Sequence, residues 1–267
     1  MQTLQSYDHR VHVGNAGDVW KHFVLAEVAD SLMASGQSMV YAESHVGHPE
    51  YLLDNRVDSQ SEWNGGIGRC WRHLPALQNF CYFRILANLN PHGLRRYPGS
   101  ARLVLEAARM RCSKLHAEVW DIDSEVAAAW AARQAWQDLE EVDFHLGDGF
   151  AGVRSQLDRF PSGLLLIDPP YIDPEDSSLA EDLLHTATEK GWVVLWWYML
   201  GAETIPEIGH GHCQSLSLNF ADAGLNCGRW EGAIMALAGA SDLQIEHLQG
   251  QAAALLKVLQ NRSQNGT

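Results

Sequence analysis

Residues 163–171 read Gly-Leu-Leu-Leu-Ile-Asp-Pro-Pro-Tyr, and this stretch limits the fold more tightly than any other. An uncharged aliphatic run predicts a strand covered on both faces, the mark of a parallel sheet. Pro169 and Pro170 have no N–H to give to a ladder, so the strand must stop at Asp168. In open α/β sheets ligands gather at the carboxyl ends of the strands. Asp168 is therefore expected at a ligand-binding edge, beside the free carbonyl of Pro169 and the ring of Tyr171.

The rest of the chain supplies a sheet around that strand. Strands are expected over 38–44, 116–121, 142–146, 192–198, 213–220 and 232–237, making seven with the one above. Apolar residues at helical spacing predict helices from Asp18 to about Ser35, 101–111, Ser124 to about Leu139, and 174–190. Asp18, Ser100 and Ser124 are the expected N-caps, and Gly36 the stop of the first helix. Residues 51–99 show no strand alternation but contain apolar helical spacing, so they read as a helical insertion within one domain spanning 1–267. The last two strands lack an intervening helix and are expected to close the sheet as an antiparallel pair.

Polar residues recur at the predicted strand ends. The first strand runs into His45-Val46-Gly47, where a nucleotide-like cofactor sits in this architecture. Asp121 ends the next strand, a position suited to a ribose hydroxyl. Gly147-Asp148-Gly149-Phe150 follows the third and suits contact with an adenine edge or an amino group.

Charge narrows the partners. A net charge of −14 argues against indiscriminate nucleic-acid binding. Yet residues 56–111 hold nine arginines against three acids, a local +6 that leaves −20 for the remainder. Such a basic segment on an acidic body suits a phosphate-bearing substrate held at one place. The five cysteines show no Cys-x-x-Cys spacing, which predicts reduced thiols and a cytoplasmic location. Residues 1–10 are polar and unlike a secretory leader, and no run approaches the ~18 apolar residues of a membrane span. His9, His12 and His22 lack metal-site spacing, so no metal is expected.

The Asp168-Pro169-Pro170-Tyr171 tetrapeptide resembles the D/N-P-P-Y/F motif of S-adenosylmethionine-dependent amino-methyltransferases. The residue types suit that chemistry. An exocyclic amine on a base is a poor nucleophile because its lone pair is delocalised into the ring. A carboxylate accepting one N–H and a backbone carbonyl accepting the other can localise that pair, while an aromatic ring stacks on the extruded base.

Further pieces are similar to the RlmJ-type ribosomal RNA adenine-N6 methyltransferases, which act on 23S rRNA. They are Tyr7…His12-x-Gly14-Asn15-x-x-Asp18-Val19-x-Lys21-His22, Ser44-His45, Tyr97-Pro98-Gly99-Ser100 and Asp148-Gly149-Phe150. The resemblance runs from about Tyr7 to the C-terminal helix. It implies a Rossmann-like class I methyltransferase fold, a seven-stranded mixed sheet with helices on both faces and an inserted helical subdomain. It implies S-adenosylmethionine as cofactor, bound by His22, His45, Ser100, Asp121, Asp148 and Gly149, with Asp168 as the catalytic residue. Tyr7, Pro169 and Tyr171 would meet the target adenosine; Arg95 and Arg96 are expected, from the basic segment that holds them, to meet the RNA. A monomer is expected. Two departures stand out: Asp121 replaces the family's usual glutamate, and His45-Val46-Gly47-His48-Pro49 replaces its Gly-rich turn. The motif alone leaves open a DNA adenine or rRNA guanine-N2 methyltransferase. A relative that binds cofactor or nucleic acid without methylating also remains.

Overall fold

The computed structural model describes residues 12–34, 36–53, 62–132, 140–201, 213–225 and 230–261. Their strands are β1 (Met39–Glu43), β2 (Glu50–Leu52), β3 (Arg96–Pro98), β4 (Leu115–Asp121), β5 (Glu140–Leu146), β6 (Leu164–Ile167), β7 (Val193–Leu200), β8 (Cys213–Asn219) and β9 (Gly232–Ala238). Seven of them form one sheet in the order β5-β4-β1-β6-β7-β9-β8. The first five pair in parallel, and β9 runs antiparallel between β7 and β8. This is an α/β fold with a mixed sheet, closed by an antiparallel pair as the missing helix between 213 and 237 implied.

Helices cover both faces because both faces of the central strands are apolar. On one face Tyr41, Val119, Leu166 and Leu195 meet α1 (Ala16–Leu32) and α5 (Ser100–Arg111) in a shared core. On the other, Ala42, Leu165, Ile167, Val194 and Trp196 meet α7 (Gly149–Gln156) and α8 (Asp176–Glu189). All four residues of β6 are buried, which explains its continuous aliphatic sequence. The remaining helices are α2 (Ile67–Trp71), α3 (Leu74–Leu77), α4 (Cys81–Leu89), α6 (Ser124–Ala131) and α9 (Asp242–Asn261). No helix among the described residues is long and apolar enough to cross a membrane.

Three local expectations are corrected. The N-cap of α1 is Asn15, whose side chain accepts from the Asp18 N–H; Asp18 lies inside the first turn. Ser100 and Ser124 are first helical residues, and Asp123 caps α6 through the Glu125 N–H. The stretch read as wholly helical begins and ends in strand: β2 and β3 pair antiparallel and draw its ends together.

Candidate functional site

The chain builds β1, then β4 and β5 to one side of it, and returns on the other side with β6. The carboxyl ends of β1 and β6 thus flank a topological switch point, the place where such sheets open a crevice. Three loops and the first turn of α1 meet there.

Asp168 follows the last residue of β6. Its Oδ2 lies 2.7 Å from the Lys21 Nζ of α1, and the same ammonium lies 3.1 Å from Asp18 Oδ1. Asp18 Oδ2 accepts the Gly14 N–H at 2.9 Å. Lys21 and Asp18 are buried, so the ion pairs stand away from the screening of bulk water. Asn15, the cap of the same helix, donates to Glu62 at 2.9 Å. The loop before α1, the helix and the DPPY turn are thereby one hydrogen-bonded unit. At Gly66 an added Cβ would fall 2.3 Å from the Gly14 oxygen, so the insertion rests directly on that loop.

Glu43, the last residue of β1, is wholly buried beneath this unit. Its carboxyl accepts from Tyr41 at 2.7 Å and from Ser100 at close range. Burial pushes its pKa up to about 8, against the opposing pull of the Ser100 and Tyr41 hydroxyls. Ser100 is thus placed at β1 by the Tyr-Pro-Gly-Ser turn, while Tyr97 of that turn stacks on His22 and bonds its Nδ1 at 3.0 Å. Only glycine fits position 99, where a Cβ would meet His48 O at 2.2 Å.

The loop after β1 departs from the expected Gly-rich turn yet closes tightly. Val46 is buried, and Gly47 alone in the turn takes a positive φ, +62°. Asp121 Oδ2 accepts the Gly47 N–H at 3.0 Å, Trp130 donates to Gly47 O at 2.8 Å, and the His48 N–H reaches Tyr51 at 3.0 Å. His45 bonds Ser44 through Nδ1 and packs edge-on against Phe150. Burial holds the His45 pKa down, opposed by the charges of Asp168, Asp176, Asp121 and Asp148. Asp148 caps α7 at the Phe150 and Ala151 N–H groups. A Cβ at Gly149 would lie 1.6 Å from Ser44 O, so this helix start touches the β1 loop.

The DPPY turn is itself strained. Tyr171 has φ +54°, a left-handed conformation costly for a residue with a Cβ. Two hydrogen bonds hold it: its hydroxyl donates to Trp197 O at 2.5 Å and accepts from Trp196 Nε1 at 2.7 Å.

Residues 36–214 match the family described as "Ribosomal RNA large subunit methyltransferase D, RlmJ". The chain belongs to this family. Two curated relatives named ribosomal RNA large subunit methyltransferase J are each 31% identical to it. The Haemophilus influenzae alignment covers 71% of this chain and 66% of the relative, and the Escherichia coli K12 alignment 78% and 75%. A solved Legionella pneumophila protein superposes with a TM-score of 0.75 over 93% of this chain and 94% of its own, at 18% identity, and so shares the fold. The family read from the motifs is the family of the chain.

Of the residues expected at the site, Asp121, Asp148 and Asp168 act on His45, Gly149 abuts Ser44, Ser100 bonds Glu43, and His22 bonds Tyr97 three residues before Ser100; Pro169 and Tyr171 follow Asp168 in its turn. Tyr7 lies outside the described residues. Arg95 and Arg96 stand exposed on the insertion, Arg96 reaching Glu50 at 3.3 Å. Much of the basic segment is spent internally: Arg102 and Arg109 pair with Glu106, and Arg84 and Arg111 with Asp30. Sequence reasoning did not foresee that Lys21 pairs with Asp168, and it missed Glu43, a lone carboxyl inside an apolar strand.

Proposed function

We propose that this chain transfers the methyl group of S-adenosylmethionine to the exocyclic N6 of an adenine in 23S rRNA. The observation that carries the reading is the Asp168 carboxylate, fixed by buried Lys21 at the carboxyl end of β6 beside the Pro169 carbonyl. A carboxylate and a carbonyl side by side can accept the two N–H bonds of one amine. The names of the two curated relatives support ribosomal RNA as the substrate class.

The residues present suit the cofactor, which would supply a methyl group on a cationic sulfonium. Asp168, Asp176, Asp121 and Asp148 all act on His45, so the edge is acidic and favours a cation. Asp121 keeps acceptor capacity for ribose hydroxyls beside its bond to Gly47. Ile122, Leu146 and Ile172 stand exposed along the edge, an apolar surface against which a base can lie. His22, His45, Ser100, Asp148 and Gly149 would complete the cofactor side.

Asp168 acts by position. It draws the amine's lone pair out of conjugation, and it takes the proton that becomes acidic once nitrogen carries the methyl group. Pre-set electrostatics of this kind lower a barrier without reorganisation during the reaction. Tyr7 and Tyr171 are assigned to the target nucleoside, and Arg95 and Arg96, on the insertion spanning 51–99, to RNA phosphates.

The test is transfer of labelled methyl groups to deproteinised 23S rRNA, 16S rRNA and duplex DNA. Incorporation into 23S rRNA alone, recovered as N6-methyladenosine, is the expected result. Methylguanosine or labelled DNA would move the reading to another substrate, and no labelling with cofactor bound would leave a binding protein.

A further inference from the structure

A second cluster of chemically capable side chains lies on the same sheet, away from the edge just described. His116, Glu118 and Trp120 alternate along one face of β4; Glu141, Asp143 and His145 stand opposite them on β5. Glu118 is three residues from Asp121, so the cluster centre lies about 10 Å back along the strand.

Glu118 is buried, and its two oxygens face two imidazoles. Oε1 lies 2.9 Å from His116 Nε2 and Oε2 lies 2.6 Å from His145 Nε2. Asp143 Oδ2 is 4.0 Å from the same His116 nitrogen. Donor atoms of His116, Glu118 and Asp143 all fall within 4.8 Å of one another. A tetrahedral zinc ion with bonds of about 2.0–2.1 Å sets its ligand atoms about 3.3 Å apart, and the observed separations bracket that value.

The hydrogen bonding also calls for a cation. His116 faces Glu141 Oε2 at 3.1 Å through Nδ1 and Glu118 Oε1 at 2.9 Å through Nε2; a neutral imidazole has one N–H for these two acceptors, so the other nitrogen turns a lone pair toward a carboxylate. A lone pair and a carboxylate oxygen at 2.9 Å repel unless something positive lies between them. Either a second proton or a metal ion serves. Both rings are held in place: His145 stacks on Trp120 with centroids 4.6 Å apart, and Phe160 packs against His116 at 5.1 Å. Arg159, exposed, approaches Glu118 Oε1 at 3.5 Å and competes for it.

We propose that His116, Glu118 and Asp143 form a zinc site that clips the edge strand β5 to β4, with His145 holding the second Glu118 oxygen in place. An imidazole nitrogen with two carboxylate oxygens suits zinc rather than magnesium or calcium, which prefer all-oxygen shells. Binding displaces the proton otherwise held at His116 Nε2, so zinc affinity falls as pH is lowered. The donors come from alternate positions on two paired strands, which is why chain spacing gave no sign of them.

The experiment strips the full chain with chelator and titrates it with zinc chloride against a chromophoric competitor. Thermal melts are run with and without zinc, and the visible spectrum is recorded with cobalt(II). One ion per chain, a raised Tm and a tetrahedral cobalt band are expected. The His116→Gln variant should lose binding by at least about tenfold. Glu141→Gln, which orients but does not ligate, should weaken it by roughly tenfold. Should that variant fail to fold, Asp143→Asn at a half-exposed position gives the same reading. No zinc uptake by the wild type overturns the proposal, as does uptake that these substitutions leave unchanged. A Tm that responds to pH but not to zinc assigns the cluster to protons and also overturns it.

Discussion

The carboxyl edge and the arginine-rich insertion are both dense in charge, and they hold it in opposite ways. At the edge the charged pair Asp18 and Lys21 are 6% and 5% exposed. In the insertion Arg69, Arg72, Arg95 and Arg96 stand in solvent, and four other arginines of the basic segment pair with acids. A buried charge costs several kcal/mol unless partnered, so it persists where fixed geometry repays the cost. An exposed charge is cheap and screened by salt, which suits attraction of a long polyanion more than the positioning of one atom. The two regions differ in the placement of their charge as well as in its sign.

Breaking the buried side should have the largest effect. Lys21→Met leaves Asp18 and Asp168 facing each other without their shared cation. Unfolding free energy should fall by about 3–5 kcal/mol, read by urea denaturation. Methyl transfer should fall further than the folded fraction explains. Retained stability would mean that the ion pairs are incidental.

Gly149→Ala sets a methyl group against Ser44 O. Overpacking of this kind costs about 1–3 kcal/mol, and here it should also weaken S-adenosylmethionine binding by calorimetry. Unchanged affinity would separate the α7 start from the cofactor.

Glu43→Gln sharpens the comparison through pH. The folded-state pKa of about 8 is raised from an ordinary 4.5, so neutral Glu43 favours the fold below pH 4.5. That contribution is lost as pH rises toward 8. Glu27, raised to about 7 chiefly by burial, adds a slope of the same sign up to neutrality. Wild-type stability should therefore decline between about pH 5 and 8, by at most about 1.4 kcal/mol per pH unit for each group. The Gln variant should lose one of the two slopes; equal slopes would place Glu43 in contact with water.

The exposed side should give the smallest effect. Arg95→Ala with Arg96→Ala should leave stability alone and reduce the salt slope of RNA binding by about 0.7–0.9 for each phosphate no longer neutralised. An unaltered slope would direct these arginines away from RNA.

Much of the sheet was legible because each central strand is a run of buried apolar residues bounded by turns. The predicted 192–198 and 232–237 became Val193–Leu200 and Gly232–Ala238. The β2–β3 ribbon was not legible, since three-residue strands show no alternation. Asn15 and Asp18 are equally good caps by residue type, and only backbone geometry separates them. The motifs named candidate site residues but not their partners. Lys21 and Asp168 are 147 residues apart, and no local pattern pairs them. The number of arginines likewise could not reveal that Arg111 is bound by Asp30, 81 residues away.

The central claim is that Asp168 holds the target amine and leaves cofactor binding to the neighbouring loops. It is tested most directly by measuring single-turnover methyl transfer to 23S rRNA and S-adenosylmethionine affinity on one preparation of Asp168→Asn. An interaction made mainly in the transition state predicts transfer lower by at least about a hundredfold with affinity within about threefold of wild type. Wild-type transfer by the variant, or affinity lost in step with transfer, would contradict the account.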